Sequence, residues 1–180
     1  MTNKPEKKPT KSYSVSDADR QVYTAADAAL TTTKPWEFEA SSPALRVVAI
    51  VLAVVVLAVH LGMSLVVDKG STGLALTAVD KWAFLGVGIV IAILALLAFL
   101  RPRVRANEDG VQVRNIIGTR FYPWSVIYGL RFPKGSRMAL LELPDFEYVP
   151  LWAIQSMDGV RAIKAVEEFR RLESAYMPKE

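Results

Sequence analysis

Residues 47–67 read VVAIVLAVVVLAVHLGMSLVV and residues 82–100 read WAFLGVGIVIAILALLAFL, with no Asp, Glu, Lys or Arg in either run. A bilayer core takes about 20 predominantly apolar residues at ~1.5 Å rise per residue. Both runs meet that length, the second at the short end. The first starts too far into the chain for a cleaved signal sequence. Two buried helices of a soluble protein would need polar surface to cover them, and a chain of 180 residues has little to give. The runs predict a membrane α-helical hairpin, with helices over 45–67 and 82–100 and a loop over 68–81.

The cations orient the hairpin. Lys4, Lys7, Lys8, Lys11, Arg20, Lys34 and Arg46 precede the first run, and Arg101, Arg103 and Arg105 follow the second. In the loop, Lys69 and Lys81 are balanced by Asp68 and Asp80. The excess of Lys and Arg on the two flanks predicts both termini in the cytoplasm, beneath a plasma (inner) membrane, with the loop outside.

Within the runs, His60 alone can titrate. A lone His near a helix end is expected to bond a neighbouring group rather than carry ions. Small residues recur at Ala49/Ala53, Ala58/Gly62 and Gly88/Ala92. Such spacing lets helices approach closely, and Ala58, Gly62, Gly88 and Ala92 are the candidate packing residues. The pattern fits packing of the two helices on each other or on a larger membrane partner. Trp36, Phe38 and Trp82 are candidate membrane-interface anchors.

The flanking segments differ in character. Residues 1–44 read as a cytoplasmic tail, largely disordered, because the start TNKPEKKPTK has almost nothing to bury. A short helix is a candidate over 16–30, capped by Ser16. Residues 101–176 are long enough for one small domain, with 177–180 a C-terminal tail. Arg103–Ala106 and Val111–Arg114 alternate around the turn residues Asn107–Gly110. Further strand patterns follow over 116–122, 128–132, 138–143 and 146–152, punctuated by Pro123, Pro133, Gly135 and Pro144. From Gln155 to Tyr176 the period becomes helical, with Val160, Ile163, Val166, Phe169 and Leu172 as the predicted core stripe. The elements add up to a small α+β domain: a bent antiparallel sheet or split barrel closed by a C-terminal helix.

Composition excludes several chemistries. The chain has no Cys and one His, which removes thiol catalysis, thiolate zinc sites, iron–sulfur clusters and disulfides. There is no Gly-rich phosphate loop, no nucleophile elbow and no Ser/His/Asp set outside the membrane runs. Glu142, Asp145 and Glu147 surround one turn, without the spacing of a cation site. A net charge of +4 is too small to argue for nucleic acid and suits a domain facing an anionic bilayer.

The Asp109-Gly110 turn with Val111–Asn115, Pro123-Trp124 with Ile127, Arg131-Phe132 with Gly135, and the Leu151–Gly159 stretch before the helix carry a likeness. Residues 82–175 resemble the bacterial pleckstrin-homology-like (PH-like) domain, and the small two-span actinobacterial membrane proteins of the low-molecular-weight protein antigen group. These motifs are structural rather than catalytic, so the resemblance implies the fold and carries over no biochemical activity. Trp124 is expected in the core. Arg103, Arg105, Arg131, Lys134 and Arg137 are candidate lipid or partner contacts.

The sequence therefore predicts a non-enzymatic, membrane-anchored interaction module without cofactor, nucleic-acid partner or small-molecule substrate. Its expected role is an accessory or assembly subunit bound to another integral membrane protein or complex. The alternative is recognition of anionic membrane-lipid headgroups at the inner leaflet.

Overall fold

The structure, a computed structural model, describes residues 32–66 and 78–177. The candidate helix over 16–30 and most of the expected loop lie outside these residues, so neither is described further.

Strand β1 (Phe38–Ala40) comes first, followed by helix α1 (Pro43–Val66) and helix α2 (Ala78–Leu100). The rest is β2 (Arg103–Asn107), β3 (Gly110–Asn115), β4 (Gly118–Pro123), β5 (Gly129–Arg131), β6 (Met138–Glu142), β7 (Tyr148–Gln155) and helix α3 (Val160–Tyr176). Single turns of 3-10 helix lie over Trp124–Val126, Pro144–Phe146 and Ser156–Asp158.

Two antiparallel sheets form, one ordered β1-β2-β3-β4 and one ordered β5-β6-β7, and they do not close into a barrel. The β2–β3 hairpin turns where Asn107 pairs with Gly110. The Asn107 side-chain oxygen accepts from the backbone N–H of Asp109 at 3.0 Å and of Gly110 at 3.3 Å, the local bonding that suits Asn to turns. Val104, Val111, Leu141, Leu151 and Phe169 are fully buried between the sheets and α3. Trp124 is buried as expected, and its Nε1–H donates to the Asn107 carbonyl at 2.8 Å.

β1 overturns the expected tail boundary at 44. It pairs with β2 in the register Phe38↔Ala106, Glu39↔Arg105 and Ala40↔Val104. The two apolar helices are thus an insertion between neighbouring strands of one sheet. Phe38 is 3% exposed and meets Phe169 edge-on at 5.9 Å, so it is a core residue and not an interface anchor. Trp36 lies beyond Phe38 on the side away from α1, with Arg105 5.9 Å over its ring, and it too leaves the anchor set. Three residues with a partner across some sixty others carry no local strand signal, which is why the segment reads as a tail.

The core stripe of α3 also needs correction. Val160 is 67% and Ile163 58% exposed, whereas Ala162, Phe169 and Leu172 are buried. Steps of three residues fall short of a 3.6-residue turn by about 60° each, so a strict three-step pattern rotates off the buried face.

Both apolar helices are long and apolar enough to cross a membrane, over Pro43–Leu65 and Trp82–Leu100. Ala49, Ala53 and Ala92 are buried where the helices meet. A side chain at Gly88 would sit 2.6 Å from His60 Cβ, so only glycine permits that crossing. Ala58 is exposed and open space surrounds Gly62, so of the two expected packings only that on a membrane partner is left for these two, which lie off the contact between the helices. Gly88 and Ala92 lie at that contact. The His60 Nδ1 lies 2.8 Å from the Val56 carbonyl one turn back and satisfies that ring nitrogen locally.

Candidate interaction surfaces

The end of the domain nearest the helices is its base. Three independent connections define it. Ser42 caps α1, accepting from the Leu45 backbone N–H at 3.1 Å, with Pro43 in the first helical position that tolerates proline. Asp158, from the 3-10 turn before α3, accepts from the Ala44 N–H at 2.9 Å. That places a carboxylate at the positive end of the α1 dipole. On the other side, Arg114 of β3 and Ile116 of the β3–β4 turn share a pocket with Leu97, Leu100 and Arg101 at the end of α2. The β5–β6 turn belongs to the same end, since Ser156 N–H donates to the Arg137 carbonyl at 2.8 Å.

The five candidate cations do not converge. Arg103 and Arg105 share one face of β2, as alternation around Val104 predicts, but Glu39 of β1 lies 3.4 Å from the first and 2.9 Å from the second. Arg131 pairs with Glu142 across the second sheet at 3.2 Å. Lys134 and Arg137 project from the exposed β5–β6 turn, with no carboxylate partner among the described residues. Trp82 is 71% exposed near the start of α2.

The opposite end is acidic and tied to the segment before β1. Lys34 meets Asp109 at 2.8 Å and Glu108 at 2.9 Å. These carboxylates, Asp109 first, push the Lys34 ammonium up to about 12. Lys34, and after it the Thr32 hydroxyl that donates at 2.7 Å, hold Asp109 below the usual carboxylate range. The Tyr176 hydroxyl donates to Glu37 at 2.8 Å, which raises the phenol above its ordinary value. Residues 32–42 are thereby stitched along the domain.

The flank between the sheets is open. β4 ends the first sheet and β7 ends the second, leaving the outer edge of β4 without a strand partner among the described residues. A groove of about 320 Å³ runs between them, lined by Asn115, Arg120, Tyr122, Glu147, Tyr148 and Pro150. Asn115 bridges its floor, donating from Nδ2 to the Pro150 carbonyl at 2.9 Å. At the far end of β7, Asp145 (φ 58°) and Phe146 (φ 61°) sit in the left-handed region, and Phe146 is 89% exposed. Beyond the turn residues Pro144-Asp145, nothing in the residue pattern marks that strained tip. Among the described residues no three His, Asp or Glu side chains gather where a metal ion would fit.

Two open antiparallel sheets closed by a C-terminal helix, with an apolar helical pair ahead of β2, define a PH-like domain on a helical hairpin. The chain belongs to the bacterial PH domain family, whose description matches residues 101–172. It is 40% identical over 119 residues to uncharacterized protein Rv1417 of Mycobacterium tuberculosis, covering 66% of this chain and 77% of that one. Uncharacterized protein Mb1452 of Mycobacterium bovis shows the same figures. Low molecular weight protein antigen 6 of Mycobacterium tuberculosis is 38% identical over 61 residues, 34% of this chain and 54% of that protein. No solved structure matches the chain.

Proposed function

We propose that this chain is a two-span plasma-membrane protein whose PH-like domain docks a protein partner on the cytoplasmic side, as an accessory or assembly subunit of a larger membrane complex. The observation that carries the reading is the open edge of β4 beside the Tyr122–Tyr148 groove. An unpaired strand edge offers main-chain donors and acceptors, and an adjacent groove offers side-chain pockets. Together they suit an extended segment of another protein. The helical pair adds no ionisable group inside its apolar runs apart from the locally bonded His60, which argues for anchorage over transport.

Headgroup recognition is the weaker reading. Three of its five candidate cations are already paired with carboxylates, and the set is divided between two sheets. Fold alone does not restore it, since PH-like folds host unrelated functions.

The test is purification of the C-terminally tagged full chain from native membranes in two mild detergents. A companion in constant ratio is expected with the parent, and its loss is expected with Arg120→Glu combined with Tyr148→Ala. Recovery of the parent alone in both detergents, or a companion indifferent to the double variant, would overturn the reading.

A further inference from the structure

The base of the domain carries exposed apolar residues that the core does not use, and one of them, Ile117, also stands at the rim of the β4 groove. Asn115 pairs with Gly118, which leaves Ile116 and Ile117 as the two residues of the β3–β4 turn. Solvent-exposed turns favour Gly, Asn, Asp, Pro and Ser, and two β-branched apolar residues at a tip run against that preference. Ile116 packs toward Leu97 and Leu100, whereas Ile117 points away and is 94% exposed.

The register fixes the height of this tip. Arg103, the first residue of β2, lies opposite Arg114. Each further residue of β3 advances about 3.3 Å toward the helices. The turn therefore reaches back to the level at which α2 ends at Leu100. On the other flank, Met157 and Val160 are 68% and 67% exposed and bracket Asp158, which is bonded to the second residue of α1. Both apolar points thus lie within one turn of the places where the helices join the domain.

Charge agrees with position. Arg101, Arg114, Lys134 and Arg137 are exposed on this end and have no carboxylate partner among the described residues. Asp158, a carboxylate on the α1 flank of this end, is engaged at the α1 N-terminus.

We propose that the base of the domain is seated in the bilayer surface, with Ile117 on one flank of the helical pair and Met157 on the other inserted at headgroup level among these cations. The occupant is a lipid surface because the face is continuous with the two apolar helices, and apolar points ringed by Lys and Arg match an anionic interface. No headgroup is recognised individually. The seat rests on the helices crossing the membrane; Ile117 also lines one end of the β4 groove, whereas Met157 does not, so the label at 157 reads the seat apart from the partner reading. The effect of the seat is orientation: the domain is held at two covalent and two apolar points, so the β4 edge stands at a fixed tilt above the bilayer.

Because the chain has no Cys, single-cysteine labelling is clean. Four variants of the full chain serve: Ile117→Cys, Met157→Cys, Phe146→Cys and Ile93→Cys. Each is labelled with a polarity-sensitive fluorophore and reconstituted in phosphatidylcholine–phosphatidylglycerol vesicles. Nitroxide lipids quench at headgroup level or at the bilayer centre. Labels at 117 and 157 are expected to shift blue and to be quenched by the headgroup-level lipid, while the label at 146 stays unquenched. The label at 93 is expected to be quenched from the bilayer centre. If 93 is quenched but 117 and 157 behave like 146, the seat is wrong and the crossing stands. A blue shift at 117 or 157 without lipid quenching would mean a protein contact and also overturns the seat. If 93 escapes quenching, the crossing itself fails and the seat with it.

Discussion

Glu173 shows how one side chain sets a limit on this domain. It stands on α3 against β5, where burial pushes its carboxyl above the usual glutamate range while the Leu130 N–H and Arg170 pull it back. Its Oε2 is buried without a hydrogen-bond partner among the described residues. Gly129, at φ 148°, makes room for it, since a side chain there would meet Oε1 at 2.9 Å. A carboxyl whose folded pKa is raised binds its proton more tightly in the native state. Its contribution is present in full below the unfolded value and is lost as pH rises through the folded value. Glu173→Gln keeps the shape and removes the charge. The advantage in melting temperature of this variant over the parent is expected to grow between about pH 4 and pH 7, the range that starts at an ordinary glutamate value. Asp109, held low by Lys34, shifts both curves alike and cancels in the comparison. Parallel melting curves across that range would show that the carboxyl bears no such cost. None of this is legible in the sequence, where Glu173 is one more polar residue of an amphipathic helix. Trp124 is legible, because a Pro-Trp pair ending a strand pattern has few places to go except the core.

At the level of elements, local pattern and long-range pairing part company. The hairpin β2–β3 and the helix α3 are legible because their signals repeat over neighbouring residues. β1 is not, because its only justification is β2, on the far side of two apolar helices. The omission matters for any soluble fragment. A chain beginning at Arg101 exposes the edge of β2 and leaves a hole where Phe38 meets Phe169. Truncating such a buried Phe costs about 3–5 kcal/mol, a large share of the stability of a small domain. Residues 101–180 alone are therefore expected to unfold at low urea or to aggregate through the open edge. A chain in which a short Gly/Ser linker replaces residues 43–100, so that β1 is kept, is expected to unfold cooperatively at a higher urea midpoint, followed by far-UV circular dichroism. This follows because Ala40 and Val104 are direct neighbours across the ladder, within reach of a short turn. Equal midpoints for the two fragments would mean that β1 adds nothing to the fold.

For the whole molecule, the same pairing constrains topology more firmly than charge does. β1 and β2 hydrogen-bond in one sheet, so the start of α1 and the end of α2 share one side of any bilayer the helices cross. An even number of crossings follows from the ladder itself. What the ladder leaves free is which side, and there charge decides. The domain is polarised, with Arg101, Arg114, Lys134 and Arg137 at its base, while Glu37, Glu108 and Asp109 gather at the far end around Lys34. Cations beside the helix ends favour retention in the cytoplasm, and in that orientation the acidic end would face away from anionic lipid. Alkaline phosphatase inserted at Thr72 is expected to be active, and a fluorescent protein fused after Glu180 is expected to fluoresce. A fluorescent protein at Thr72 should stay dark. Phosphatase activity at the C-terminus instead would invert the orientation yet leave the sheet intact, since both ends would have moved together. Activity at both sites, or at neither, would be the more damaging result. It would put the loop and the domain on one side, and the apolar helices would then have to lie along the membrane or be covered by protein.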